Sequence, residues 1–574
     1  MYSIAQWRNL SKQTVSILLI VEPFMKCRTI MNEPFILVLL WLQIVLAASK
    51  VDAAPPTKEP WGLHVGDQRQ VFIEGRLIEE SNGVDLVVHP PQKTGQIVLA
   101  CEYPWEERLG QYHSVLYDAG VYHLWYTVHG KADSSAVPVR SIAYARSRDG
   151  IHWEKPALGL VEIYGTRENN IVLGHGFGGV KGATHGCMVF LDQQAPPDQR
   201  FRLVSNPEEL GKSLQIFSSG DGIHWRLTHR DIMKFSSEKH HLDSQNVIFW
   251  DQRISRYVAY VRRNLRPVAS QGRSVARAES ADLAHFPDVE DCPVVLGFDD
   301  KDPQCYDPAQ NARIQVADFY TNGAIKYPWA QDAYYMFPSE YFHYGTFLRD
   351  FRKGQPVNAG SLDVRFAASR DGVSWQRYDR RAFVRLGRSN EWDSRSIYMA
   401  YGIVPGSSED EMFMYYCGSN MLHGWDRDDQ HAERNKRLLR RIGGAPDKEA
   451  DGISRLVIRR DGFVSVRAGY AGGEFRTPAM TFEGDELALN VDTSAVGQLQ
   501  VEILDGPGKP IPGYTLEDSD QIYTANQVNR VVTWNGQSTL AELAGKPIRL
   551  RFVMRDADLY AFQFRKSPVL KDSR

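Results

Sequence analysis

Short apolar–polar alternations recur along most of this chain, and several end in the same punctuation. Ile142-Ala143-Tyr144-Ala145-Arg146, Leu214-Gln215-Ile216-Phe217 and Val364-Arg365-Phe366-Ala367-Ala368 read as strands of small sheets. Each runs into S-x-D-G-x-x-W: Ser147 to Trp153, Ser219 to Trp225 and Ser369 to Trp375. Asp-Gly supplies the positive φ of a tight turn, and the Asp side chain bonds its own backbone two residues on. The Trp is placed to pack over the turn and seal the edge of a sheet. Degenerate copies follow. Ser280 to Phe286 keeps the Ser, Asp282 and an aromatic, and Arg459 to Phe463 keeps Asp461-Gly462.

A strand–turn–strand unit precedes each copy. The pairs are Ser114–Asp118 with Val121–Tyr126, Cys187–Asp192 with Arg200–Val204, and Asn246–Asp251 with Arg256–Val261. Gly323–Tyr327 with Ala333–Phe337 and Ile397–Tyr401 with Glu411–Tyr416 complete the series. The pattern predicts an all-β chain: a five-bladed β-propeller over residues 54–470, each blade of four strands. Residues 55–100 read as a leading segment wrapped onto the first sheet. Trp425 to Lys448 is a charged insertion in the fifth blade, with Ala432 to Ile442 able to form a helix. Residues 471–566 change character. Alternating runs such as Glu486–Val491, Leu499–Leu504 and Ile548–Val553 predict a β-sandwich, followed by a tail over 567–574.

Residues 1–53 read as a leader. The apolar run Phe35 to Ala48 is too short to span a bilayer, and Val51-Asp52-Ala53 is a small-x-small cleavage site. Translation from Met25 would put Lys26 and Arg28 just ahead of that run, the layout of a signal peptide. The expectation is a secreted or periplasmic protein with no membrane span after the leader is removed. The net charge of −3 shows no basic excess, so nucleic acid is not an expected partner. The 26 Tyr and 13 Trp suit both β-sheets and sugar-binding clefts. The six Cys include no C-x-x-C, which argues against a thiolate metal site and leaves Cys292 with Cys305 as a possible pair.

A secreted propeller carrying S-x-D-G-x-x-W turns, followed by a sandwich ending Ala544 to Phe552 and Leu559 to Phe562, resembles the glycoside hydrolases of the invertase/levanase type and the related arabinanase/β-xylosidase type. That resemblance implies hydrolysis of oligo- or polysaccharide. The invertase-type first blade opens on Asn-Asp-Pro-Asn, which carries the nucleophile, whereas this chain has Gln111-Tyr112-His113-Ser114. No nucleophile carries over by motif, and a non-catalytic carbohydrate-binding propeller is the alternative.

Innermost strands of a propeller start at the mouth of its central channel, and glycoside hydrolysis needs two carboxylates sharing one anomeric centre. Asp243 and Asp393 share one layout, Asp-Ser followed by two residues and a strand, and Asp318 precedes the fourth inner strand. These three are the leading catalytic candidates, with Glu391 and Glu340 in reserve. Asp149, Asp221 and Asp371 belong to the turns and are excluded. Candidate sugar contacts are Trp105, Tyr112, Trp392, His423 and Trp425, with His113 and His185 at matching strand starts. His240-His241-x-Asp243 looks like a metal cluster, but successive side chains on a strand point to opposite faces. No metal and no cofactor are expected.

Overall fold

The computed structural model describes residues 62–130, 140–174, 184–206, 213–236, 241–265, 272–307, 312–343, 360–424 and 450–567. The leader, Trp425 to Lys448 and His240 lie outside the described residues. Strands dominate, and the only helical elements among the described residues are three short 3-10 turns.

Three sheets are antiparallel ladders of four consecutive strands. The first is Arg108–Asp118, Val121–His129, Arg140–Ser147 and Ile171–Gly174. The second is His185–Leu191, Phe201–Asn206, Ser213–Ser219 and Arg226–Lys234, and the third is Val247–Asp251, Arg256–Asn264, Arg273–Ser280 and Val294–Leu296. A fourth sheet has eight strands. One half holds Ala317–Thr321, Ser339–His343 and Gly360–Val364; the other holds Ser396–Met399, Glu411–Ser419, Asp451–Arg459 and Gln92–Leu99, with the short Val404–Pro405 also paired to Glu411–Ser419. The halves meet in a single parallel pairing, Leu362 with Ser396.

The innermost segments are stitched into a ring, so the sheets form a propeller-like arrangement. Val189 N donates to Ser114 Oγ at 2.9 Å, and Gln245 Nε2 donates to the carbonyls of His113 and Cys187 at 2.9 Å each. Asn322 Nδ2 reaches the Gln245 carbonyl at 3.4 Å, and Ser339 Oγ donates to that of Ile397 at 3.2 Å. Tyr401 N closes the circuit on the His113 carbonyl at 2.9 Å.

The recurring turns hold neighbouring sheets together. Asp149 Oδ1 accepts from Ile151 N and His152 N at 2.8 Å each, and Asp221 and Asp371 repeat the pattern. The glycine carbonyl then accepts a donor from an adjacent sheet. Tyr415 OH bonds Gly150 O, Trp125 Nε1 bonds Gly222 O and Tyr260 OH bonds Gly372 O, each at 2.7 Å. The motif Trp packs edge-on against that same aromatic: Trp153 on Tyr415, Trp225 on Trp125 and Trp375 on Tyr260. It therefore joins two sheets rather than sealing the edge of one. Gly222 sits at φ 76°, and a Cβ there would lie 2.6 Å from the Trp125 ring. Gly222→Ala should cost about 2–4 kcal/mol from left-handed strain plus overpacking. Denaturant unfolding measures it, and an unchanged midpoint would show that this turn does not hold the sheets.

The leading segment differs from expectation. Its strands pair with C-terminal strands, not with the first sheet. Leu63–Gly66 pairs with Met480–Phe482, Glu80–Asn82 with Gly473–Arg476 and Val84–Val88 with Val464–Ala468. All join an eleven-stranded sheet built on two long strands, Glu486–Asp505 and Ile548–Arg565. Phe72 packs edge-on against Phe475 at 5.7 Å, tying the leading segment into that sheet's own apolar core. Gln92–Leu99 continues to the outer edge of Asp451–Arg459. The apolar runs are legible in sequence, but the partner of a short strand is set by which distant face completes its burial. Cys292 is a free thiol, so the expected pair with Cys305 is not formed on its side, and the Cys305 side chain lies outside those described.

Candidate functional site

The starting ends of the inner strands converge on a cluster of buried tyrosines. Tyr112, Tyr320, Tyr341 and Tyr398 pack with Leu362. The Tyr112 and Tyr320 hydroxyls lie 3.1 Å apart. His423 stands against Tyr320 with ring centroids 4.3 Å apart, and its Nδ1 is 2.7 Å from the Tyr398 hydroxyl. Burial, with Arg273 adding to it, takes the His423 pKa down to about 3, so the ring is neutral.

Asp243 lies in the turn before Val247–Asp251, and each neighbour in Asp243-Ser244-Gln245-Asn246 has a separate task. Ser244 Oγ donates to the Tyr320 carbonyl at 2.7 Å, tying the turn to the fourth sheet. Gln245 holds the first two sheets, and Asn246 Nδ2 braces the turn itself at the Leu242 and Ser244 carbonyls, 2.7 and 2.9 Å away. The Asp243 carboxylate is thereby fixed. His185 Nε2 is 2.7 Å from Oδ1 and Arg262 Nη2 is 2.7 Å from Oδ2. Arg140 Nη1 stands 2.8 Å from His185 Nδ1. Arginine can only donate, so Nδ1 accepts and the His185 proton sits on Nε2, directed at Asp243.

The Asp243 side chain is 53% exposed although protein surrounds it, as in the floor of a recess. Burial pushes its pKa up, but Arg262 and His185 more than reverse this and hold the carboxyl well below the usual range. Arg262 is itself buried and lies over the Tyr320 ring, 5.6 Å from its centroid.

Asp318 sits one layer deeper. It lies inside Ala317–Thr321, not ahead of it as the sequence suggests, and is 1% exposed. Arg273 Nη1 pairs with it at 3.0 Å, and His343 Nε2 lies 3.2 Å away. Burial raises its pKa, and Arg273 and His343 bring it below the ordinary value. Arg273 stands over both Tyr320 and Tyr341, 5.5 Å from each centroid. Asp318 thus supports the floor of the recess.

The other candidates are elsewhere. Asp393 is buried and accepts from Tyr416 OH at 2.8 Å and from Lys93 on Gln92–Leu99, so it is held by strands of its own sheet. Trp392 stacks on Tyr416 at 5.7 Å, and Glu391 closes its own turn by accepting from Arg388 N at 2.7 Å. Glu340 is ion-paired to Arg365, opposite Asp363. Asp363 has a pKa raised to about 6 by burial, against the pull of Arg365. It neighbours Leu362 and so projects from the other face of its strand. His113 is buried in the ring between sheets, and burial takes its pKa down to about 3. Trp105 donates to Asn170 Oδ1 at 3.1 Å and stacks under Tyr103 at 4.6 Å. Trp425 lies outside the described residues. Of the sequence candidates, Asp243, Asp318, His185, Tyr112 and His423 come together.

The sequence reading missed Arg262, Arg273 and His343. Arg262 follows the apolar run Tyr257 to Val261 within Arg256–Asn264, and that break in pattern was the available signal. It also missed two acids. A cavity of about 580 Å³ opens beside His423 and Tyr398, with Glu107, Gln111 and Asp451 in its wall. Among the described residues no group of three or more His, Cys, Asp or Glu is arranged to hold a metal ion.

No protein-family profile matches the chain, and no curated protein matches it. Solved structures do. One described as a glycoside hydrolase aligns over 64% of this chain and 92% of its own, at 13% identity and a TM-score of 0.42. An N-acetylgalactosamine deacetylase from F. plautii aligns over 69% and 94%, at 14% identity and a TM-score of 0.37. A glycosyl hydrolase from Bacteroides ovatus aligns over 68% and 96%, at 12% identity and a TM-score of 0.35.

Proposed function

We propose that this chain is a glycoside hydrolase acting on an oligo- or polysaccharide, with Asp243 as its working carboxylate. The observation that carries this reading is the setting of Asp243. It is an ionised, solvent-reachable carboxylate, bonded on both oxygens by His185 and Arg262, over a floor of tyrosines and a neutral histidine. Glycoside hydrolysis divides its work between a carboxylate that attacks or takes a proton and a group that gives one. Asp243 fits the first role. The reading includes a five-bladed count, with the two halves of the eight-stranded sheet as fourth and fifth blades. It also includes a C-terminal sandwich and kinship with the invertase/levanase and arabinanase/β-xylosidase types.

A screen of aryl glycosides and of plant and algal polysaccharides, run with the protein and with Asp243→Asn, tests the reading. Cleavage that depends on Asp243 supports it, and cleavage indifferent to Asp243 refutes it. One observation favours the carbohydrate-binding alternative: arginines hold both Asp243 and Asp318 in the charged form, so neither donates a proton at neutral pH. Glycan binding without turnover in the same screen would establish that alternative.

We place the protein outside the cytoplasm, on the support of the apolar run Phe35 to Ala48 and the small residues at Val51-Asp52-Ala53. N-terminal sequencing of the exported protein should begin near Ala54, and a mature chain retaining Trp41 would overturn this.

A further inference from the structure

We propose that the mouth of the channel opposite Asp243 is a second, non-catalytic binding site for a neutral saccharide chain. The saccharide class of the ligand rests on the function proposed above; the site itself does not. Asp243 and His185 stand where inner strands begin, and the ends of those strands open on a separate cavity of about 980 Å³. Tyr117 at the end of Arg108–Asp118, Trp250 near the end of Val247–Asp251, and Trp329 line it, together with exposed Gln193, Gln252 and Gln331.

The lining has the two surfaces a sugar ring needs. Pyranose and furanose rings offer C–H faces to aromatic rings and hydroxyls to groups that both donate and accept. Tyr117 is 40% exposed. Trp250 meets Tyr257 edge-on, and Arg460 covers Trp329 from one side at 5.3 Å; both indoles stay partly exposed. Gln252 Nε2 donates to Gln193 Oε1, a bond that fixes the pair at the rim, and the Gln193 amide N–H groups and Gln331 supply donors and acceptors to a ligand.

Charge decides between a neutral and an anionic ligand. Arg253 and Lys326 are the charged residues among the described lining. Lys326 Nζ is held by Asp251 at 2.8 Å, and it also donates to Gln252 Oε1 at 3.2 Å. Arg253 Nε donates to Tyr334 OH at 3.0 Å and Nη2 to the Asp371 carbonyl at 3.1 Å. Asp251 pairs with Lys326, and Asp251 and Asp371 both act on Arg253 through space, so the two cations of the wall are offset from behind and are weak attractors for an anion. No carboxylate lines it among the described residues, which leaves it without acid/base groups for hydrolysis. The site would hold a polymer while the opposite mouth works on it.

Native gels cast with xylan, glucomannan, mixed-linkage β-glucan or inulin test the proposal. At least one should retard the protein. Tyr117→Ala with Gln252→Ala should weaken that retardation about tenfold, the loss expected when one good contact goes, and leave aryl-glycoside hydrolysis unchanged. Both residues are exposed, so the double variant should melt with the parent; Gln193→Ala, also exposed, gives a second reading. Asp243→Asn should still be retarded. Retardation lost only with Asp243→Asn, or insensitive to all distal variants, would overturn the distal site and leave the hydrolase reading intact. No retardation by any of the four gels, with hydrolysis still present, would do the same. Retardation that follows the distal variants while hydrolysis ignores Asp243 would uphold the site and sink the hydrolase assignment.

Discussion

Asp243→Asn should reduce kcat/KM by about 100-fold or more, the usual consequence of removing a group that takes a proton or attacks. The substitution keeps the shape; its single amide oxygen can accept from Arg262, and the amide nitrogen then faces His185 in place of the second carboxylate oxygen. The carboxylate is solvent-reachable, which softens the loss of the Arg262 ion pair, and urea unfolding of the variant separates any loss of stability from the loss of turnover. The pH profile gives an independent check. Arg262 and His185 hold the Asp243 carboxyl below the ordinary aspartate value of 3.8, so the group stays charged as pH falls through that value. No acid limb attributable to Asp243 should therefore appear near pH 4. Arg262→Met removes the first of the two groups that lower the pKa while the surrounding protein still raises it. Its acid limb should move to higher pH, a shift that loss of packing alone would not produce. Near-full turnover in Asp243→Asn, measured on whatever substrate the screen yields, would make the carboxylate structural.

What the sequence made legible divides along the line between local and distant chemistry. The S-x-D-G-x-x-W turns could be read because their bonds are local: Ser147 Oγ and Asp149 Oδ1 serve backbone amides within three residues. The donors that cap the glycine carbonyls come from other sheets, and nothing near Gly150 announces Tyr415. The acids show the same limit. Asp243 and Asp393 share one sequence layout, yet Arg262 and His185 draw the first toward the recess while Lys93 and Tyr416 draw the second along its sheet. Sequence position places a carboxylate at a strand start, but the cation that turns it comes from another strand, Arg262 on the next strand for Asp243 and Lys93 from far off in the chain for Asp393. Residues 63–88 differ for a related reason. Their apolar runs mark them as strands, and only the faces they complete in the C-terminal sheet decide where they pair.

The floor under the recess should be the costliest place to disturb. Arg273, Asp318 and His343 are all nearly sealed from solvent, at 4%, 1% and 0% exposure. Removing one member of a buried ion pair leaves the other charged and unmatched, which typically costs about 3–5 kcal/mol. Asp318→Asn should fall in that range, because Arg273 then stands between the Tyr320 and Tyr341 rings without its counter-ion. Arg273→Met should cost a similar amount by stranding the carboxylate. The double variant Arg273→Met with Asp318→Leu should recover part of the loss, since it removes both desolvated charges together. The sign of the pH dependence follows from the lowered carboxyl. The pair's contribution is whole above the ordinary aspartate value of 3.8 and disappears as pH falls through the lower folded value. Urea unfolding of the parent, both single variants and the double variant at neutral pH measures the coupling. If the single losses simply add in the double variant, Arg273 and Asp318 do not act as a pair. A coupled result would make Arg273 the support on which the tyrosine floor rests, with Asp243 above it free for chemistry because Asp318 already neutralises the charge beneath.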